Sequence, residues 1–162
     1  MMDKPGLRLT LAILLAFSAS SAGLAQDKKE DWPEGSAMHT AYLLAEKQVK
    51  LDPLLEKRQA ELVALVAKDA DYANRRIAKA LSAQHASWLT YRNDECELVG
   101  SLTKAGGTWP TTHALECKAK LTEARARAVD SALACIKKKR EDNHEFEEET
   151  CLYPLAPLAR GK

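Results

Sequence analysis

The chain has 162 residues, with 24 basic and 23 acidic side chains and a formal net charge of +1. Duplex-binding proteins carry a basic excess on one face. This balance offers none, so nucleic acid is not an expected partner. The length suits one domain with one modest core, and no internal repeat or second domain is visible.

Residues 1–25 read as a secretory signal. Lys4 and Arg8 make a positive start, Leu9 to Phe17 an apolar run, and Gly23-Leu24-Ala25 a small-residue end before Gln26. The apolar run is far shorter than the roughly 20 residues that span a bilayer. We therefore expect cleavage after Ala25, a periplasmic or secreted mature chain, and no stable membrane insertion. An uncleaved anchor is the lesser reading. No cysteine follows Ala25 directly, which argues against a lipid anchor. Removing Asp3, Lys4 and Arg8 with the signal leaves acidic and basic side chains equal in number.

Residues 26–36 are polar, with Pro33 and Gly35, and read as a flexible leader. From Ala37 the chain is rich in Ala, Leu, Lys, Glu and Arg, the composition of helices. A short first helix is expected over His39 to Lys50. Asp52-Pro53 then reads as an N-cap and first helical position of a second helix, carrying Leu51, Leu55, Leu62, Leu65 and Val66. Lys68 to Asp71 should break it. The next helix is expected from about Asn74 to Val99, with Ile77, Leu81, Trp88, Tyr91 and Val99 as its apolar stripe.

Gly100 to Thr111 is the one clear loop, containing Gly106-Gly107 and Trp109-Pro110, with Thr111 or Thr112 as the following cap. The last helix repeats Leu115, Ala119, Thr122, Ala126, Val129, Leu133 and Ile136 at a three-four alternation. A basic run, Lys137 to Arg140, precedes an acidic run, Glu141 to Glu149. The tail 153–162 carries Pro154 and Pro157 and is expected to be extended. The predicted fold class is all-α, a small helical bundle built on an antiparallel helical hairpin.

Four cysteines allow three pairings. Cys117 and Cys135 fall on one predicted helix, roughly 27 Å apart at 1.5 Å per residue, whereas a disulfide needs Cα atoms within about 7 Å. Cys96 stands just before the loop, so it meets the start of the last helix, where Cys117 lies, and not its far end. Only Cys96–Cys117 with Cys135–Cys151 survives. The first pins the hairpin and the second ties the tail to its helix, each contributing about 3 kcal/mol.

The competing metal reading places His113 and Cys117 at the i, i+4 spacing of two ligands on one helical face, with His85 or His144 nearby. Exported chains oxidise their thiols, and no compact ligand cluster exists, so neither a metal nor another cofactor is expected. No G-x-S-x-G, phosphate loop or free nucleophilic cysteine remains for catalysis. The chain is not read as an enzyme.

The segment Gln84, Trp88, Tyr91-Arg92 and Cys96, then Gly106-Gly107-Thr108, Cys117, Leu121-Thr122 and Arg125, resembles the lysozyme inhibitor LprI-like family of small bacterial envelope proteins. Leu51-Asp52-Pro53-Leu54-Leu55 fits the helix that opens that domain, and the resemblance covers about residues 50–136 of a domain placed at 37–152. It implies export, an all-α fold and, by the family's name, binding and inhibition of a lysozyme-type muramidase. One departure stands out. Relatives commonly carry a further cysteine near the mature N-terminus, and none precedes Cys96 here; Cys135/Cys151 either replaces that staple or belongs to this branch.

Trp88, lying about as far before the pin as Arg125 lies after it, should stack on that guanidinium, both as structural packing. Tyr91 belongs to the same motif, and Arg92 is expected in a solvated ion pair with Glu95, Glu123 or another carboxylate. Gly106, Gly107, Thr108 and Trp109 form the candidate partner-binding loop, with Trp109 either exposed as a contact or folded over the hairpin end. Glu147 and Glu148, within the acidic run, are the candidate steering charges for a cationic partner, against the plainer reading of a solvated segment. A non-catalytic envelope scaffold or stress protein is the alternative to an inhibitor.

Overall fold

The computed structural model describes residues 32–68 and 72–156. The expected export signal, most of the expected leader and residues 157–162 lie outside the described residues. Three long helices follow one another: α1 (Ala37–Ala67), α2 (Tyr72–Leu102) and α3 (Trp109–Glu141). A 3-10 segment, Glu145–Leu155, then runs back along α3. Among the described residues there is no strand, and no helix is long and apolar enough to cross a membrane. The fold is an all-α bundle.

Cross-helix contacts fix the direction of each helix. Lys47 pairs with Glu123, Arg58 with Asp130 and Glu61 with Lys137, so α1 and α3 run parallel. Asp52 meets Arg92 and Glu56 meets His85, so α2 runs antiparallel to α1. Short connections between neighbours produce this up-down-up order. The apolar core is formed by Leu55, Leu62, Val129, Leu133 and Ile136, closed at one side by Leu155 from the tail.

Both predicted disulfides are present. The Cα atoms of Cys96 and Cys117 are 5.4 Å apart, and those of Cys135 and Cys151 5.7 Å. No cysteine is free.

Several local expectations are corrected. Asp52-Pro53 does not start a helix, because α1 is continuous from Ala37 through Pro53. The true N-cap is Ser36, whose side chain accepts the backbone N–H of His39 at 3.2 Å. Pro53 removes one helix hydrogen bond, but it lies on the exposed face, and tertiary bonds to Asp52 hold the helix across it. The chain leaves α1 at Ala67 and re-enters helix at Tyr72, on either side of the expected break.

In α2, Tyr91 and Val99 face solvent instead of the core, at 56% and 37% exposure. The inward positions are Ala78, Leu81, His85, Arg92, Cys96 and Gly100. Two of these are polar, so a stripe drawn through apolar residues alone drifts out of phase after Trp88.

The loop is shorter than expected, residues 103–108, because α2 extends to Leu102 and α3 begins at Trp109. Neither Thr111 nor Thr112 caps α3. Thr112 is already inside it, its hydroxyl 3.0 Å from the carbonyl of Ala37. Gly100 permits the close approach of α2 to α3: a Cβ there would stand 2.4 Å from the Pro110 carbonyl oxygen.

The tail also differs from the extended form expected from Tyr153. Its 3-10 turns continue to Leu155, which is 2% exposed. Runs of this helix beyond three or four residues are uncommon, so the conformation is imposed by docking. Cys151 is bonded to α3, Lys139 pairs with Glu147, and Arg140 grips Glu148 through two nitrogens at 2.5 and 2.9 Å.

Two measurements follow. Gly100→Ala forces backbone apart at the hairpin and should lower unfolding free energy by about 1–3 kcal/mol in urea titration. The carboxyls of Glu61, Glu116, Glu123 and Glu147 are held below the ordinary glutamate value, first by hydrogen bonds from Lys137, Lys120, Lys47 and Lys139 respectively. A depressed folded value favours folding above the unfolded pKa and loses that contribution as pH falls through the folded one. The urea midpoint should stay flat from pH 7 to 5.5 and decline below about pH 4.3.

Candidate functional site

The residues singled out in the sequence fall into two regions, one inside the bundle and one at its end. The inner region centres on Trp88. The guanidinium of Arg92 lies 5.5 Å from its ring centroid and that of Arg125 5.6 Å, while His85 stacks on it at 6.1 Å and 15°. The Trp88–Arg125 stacking expected from their distances to the disulfide is present.

Arg92 is not a solvated ion pair. It is 5% exposed and reaches across the bundle, Nη1 donating to Asp52 Oδ1 at 2.6 Å and to Thr122 Oγ1 at 2.8 Å. Gln48 Nε2 donates to the same two oxygens, at 2.6 and 3.1 Å. Thr122 in turn donates to the Lys118 carbonyl at 2.8 Å, which uses its hydroxyl fully. The carboxylate that pairs with Arg92 is Asp52, and neither Glu95 nor Glu123; Glu123 pairs with Lys47.

Arg125 is 6% exposed and donates through Nη1 to the carbonyl of Leu155 at 3.0 Å and through Nη2 to Gln84 Oε1. Burial pushes its guanidinium below its usual pKa. Sequence reasoning missed Gln48, Asp52 and Thr122 as members of this network. Thr122 was the legible one, since a hydroxyl at a position of the α3 apolar stripe needs partners.

The outer region is the hairpin end. Gly106 and Gly107 are exposed, with open space where side chains would stand; Gly107 has φ +65°, which favours glycine there. Thr108 sits at the start of α3, its hydroxyl 3.0 Å from Met38 Sδ. Trp109 is half-exposed at 41% and leans on His113, ring centroids 6.0 Å apart. It is neither wholly free nor folded over the hairpin.

Beside it, an open groove of about 310 Å³ is lined by Val99, Thr103, His113, Glu116 and Leu121. Leu98 and Leu102 are exposed on the adjoining end of α2. Cys117 is bridged to Cys96 and has no thiolate to offer beside His113. Among the described residues no group of three or more His, Cys, Asp or Glu is placed to hold a metal ion.

The acidic candidates do not join this end. Glu147 and Glu148 lie against the last turn of α3, roughly 45 Å of helix away from Trp109. Their carboxylates are engaged by Lys139 and Arg140. The structure therefore separates the two halves of the partner surface expected from the sequence.

A family model described as "Lysozyme inhibitor LprI" matches residues 25–129, well over half of the chain. The chain belongs to the lysozyme inhibitor LprI family. The match takes in α1, α2, the hairpin loop and most of α3, including Trp88, Arg92 and Arg125; it stops short of Cys135 and the tail. No curated protein and no solved structure matches the chain significantly. The family is named for inhibition and not for catalysis.

The internal location of Arg92 and Thr122 makes a direct test possible. Thr122→Val keeps the shape but leaves Arg92 Nη1 and Gln48 Nε2 each short of an acceptor. It should cost about 1–3 kcal/mol of unfolding free energy, read by urea denaturation, with the far-ultraviolet circular dichroism of the native state unchanged.

Proposed function

We propose that this protein is an exported inhibitor that binds a lysozyme-type muramidase through its hairpin end. The observation that carries the reading is the family match over residues 25–129, which takes in α2, the loop and most of α3. The positive start and apolar run of residues 1–25, cleaved after Ala25, are the proposed export signal, and the periplasm or exterior the proposed location. The working domain begins at Ala37 and includes the tail to Leu155.

Residues 103–108 with Trp109 are the proposed contact surface. A half-exposed tryptophan on the first turn of a long, disulfide-pinned helix is rigidly placed, and tryptophan is enriched among the residues that dominate binding energy. Val99, Leu98 and Leu102 extend the apolar contact next to it. Trp88, Tyr91, Arg92 and Arg125 are assigned a structural part, except that Tyr91 stands outside the bundle. Glu147 and Glu148 are assigned to fastening the tail, because their partners lie on α3.

An envelope scaffold would use a broad apolar face. The exposed large apolar side chains here are distributed over all three helices and the tail, which favours the inhibitor reading.

The test is muramidase turnover of cell walls with the purified, oxidised protein in excess. We expect inhibition by the native chain and a loss of at least tenfold in potency for Trp109→Ala, with unchanged thermal stability. A second arm, Glu148→Gln, should leave potency unchanged. Undiminished turnover with the native protein would overturn the proposal, and full potency of Trp109→Ala would overturn the assignment of the surface.

A further inference from the structure

The two arginines on Trp88 are not equivalent. Arg92 has a carboxylate, Asp52, at 2.6 Å. Among the described residues Arg125 has none: its partners are the neutral Leu155 carbonyl, the neutral Gln84 side chain and the Trp88 ring. Its Nε is buried without a hydrogen-bond partner. Buried guanidinium groups are ordinarily matched by an anion, because removing the charge from water is costly. Burial is the cause that lowers the Arg125 pKa, with no carboxylate opposing it.

What occupies the place of the anion is the last turn of the tail. Gln84 Nε2 donates to the Leu155 carbonyl oxygen at 3.2 Å, and Arg125 Nη1 to the same oxygen at 3.0 Å. The leucine side chain of that residue enters the apolar cluster against which Trp88 packs. A carbonyl oxygen between a guanidinium and an amide, with a leucine side chain in the adjoining core, stands where a C-terminal leucine would place one carboxylate oxygen. A carboxylate would serve Arg125 better, since hydrogen bonds between ionised partners are about twice as strong as neutral ones.

Only the turn beyond Cys151 need move to vacate this place. Cys151 is anchored to Cys135, while Tyr153, Pro154 and Ala156 are exposed. The displacement would leave both disulfides and the ion pairs of Glu147 and Glu148 untouched. Gln84, Trp88 and Arg125 lie within the residues matched to the family, and the turn that covers them lies beyond.

We propose that Gln84, Trp88 and Arg125 form a receptor for the free carboxylate of a peptide ending in a leucine-sized apolar residue. Residues 152–156 are its internal cap, seated in the pocket until such a peptide displaces them. Binding is then weakened by the fraction of time the cap is closed.

The test uses full-length oxidised protein and two acetylated Gly-Gly-Leu tripeptides, one with a free carboxylate and one with a C-terminal amide. Binding is followed by the backbone, indole and Arg Nε–H signals in nitrogen-15 NMR. The acid should bind at least tenfold more tightly than the amide, moving the signals of Gln84, Trp88 and Arg125. Leu155→Ala, which weakens the cap, should tighten the acid by about tenfold. Equal binding of acid and amide overturns the proposal, as does no binding to either protein, or shifts confined to the hairpin end. Loss of the helical circular dichroism of Leu155→Ala would place the turn in the folding core and overturn it too. No muramidase is involved, so the outcome is independent of the inhibition assay.

Discussion

A single buried guanidinium ties the bundle together. Arg92 sits on α2, yet its Nη1 is shared between Asp52 of α1 and Thr122 of α3. That geometry sets all three helices in one register, because sliding any one of them by a turn would strand a buried charge. Apolar contacts alone are less demanding: Leu and Val packing tolerates rearrangement at modest cost. A charge with its hydrogen bonds does not. The register at Arg92 places Trp88 one turn away on α2 and lets Arg125 of α3 reach the same ring.

From this register the rest of the molecule follows. Cys96 stands one turn beyond Arg92 and meets Cys117, so the disulfide closes a hairpin whose alignment the polar contacts already define. Gly100 lies one further turn along and lets α2 approach the backbone of α3 at Pro110. The loop 103–108 is thereby short and Trp109 is held on the first turn of a helix. A contact residue placed this way loses little freedom on binding, which is the usual route by which preorganisation improves affinity. Trp88, Arg92, Cys96 and Arg125 thus build the support, and the surface proposed for recognition sits at the hairpin end beyond it.

At the other end the tail has a different relation to the bundle. It is held by a cystine, by ion pairs from Lys139 and Arg140, and by one buried leucine. Its 3-10 conformation owes nothing to local helix preference. It behaves as a ligand covalently attached to its receptor, with the attachment raising its effective concentration.

The helical composition, the amphipathic repeat of α3 and the cystine pairings were all legible in the chain, since each depends on spacing within a helix or on distance along it. Cys117 and Cys135 could not pair whatever the packing. Tertiary structure decided what local rules misjudge. Asp52-Pro53 carries a strong start signal, but Asp52 is worth more as an acceptor for Arg92, so α1 runs through it. His85 and Arg92 lie on the inner face of α2 because partners from other helices satisfy them, and no periodicity of apolar residues announces that. Leu155 and the acidic run follow the same logic: a carbonyl, a carboxylate or a leucine finds its place only when residues distant in sequence are brought beside it.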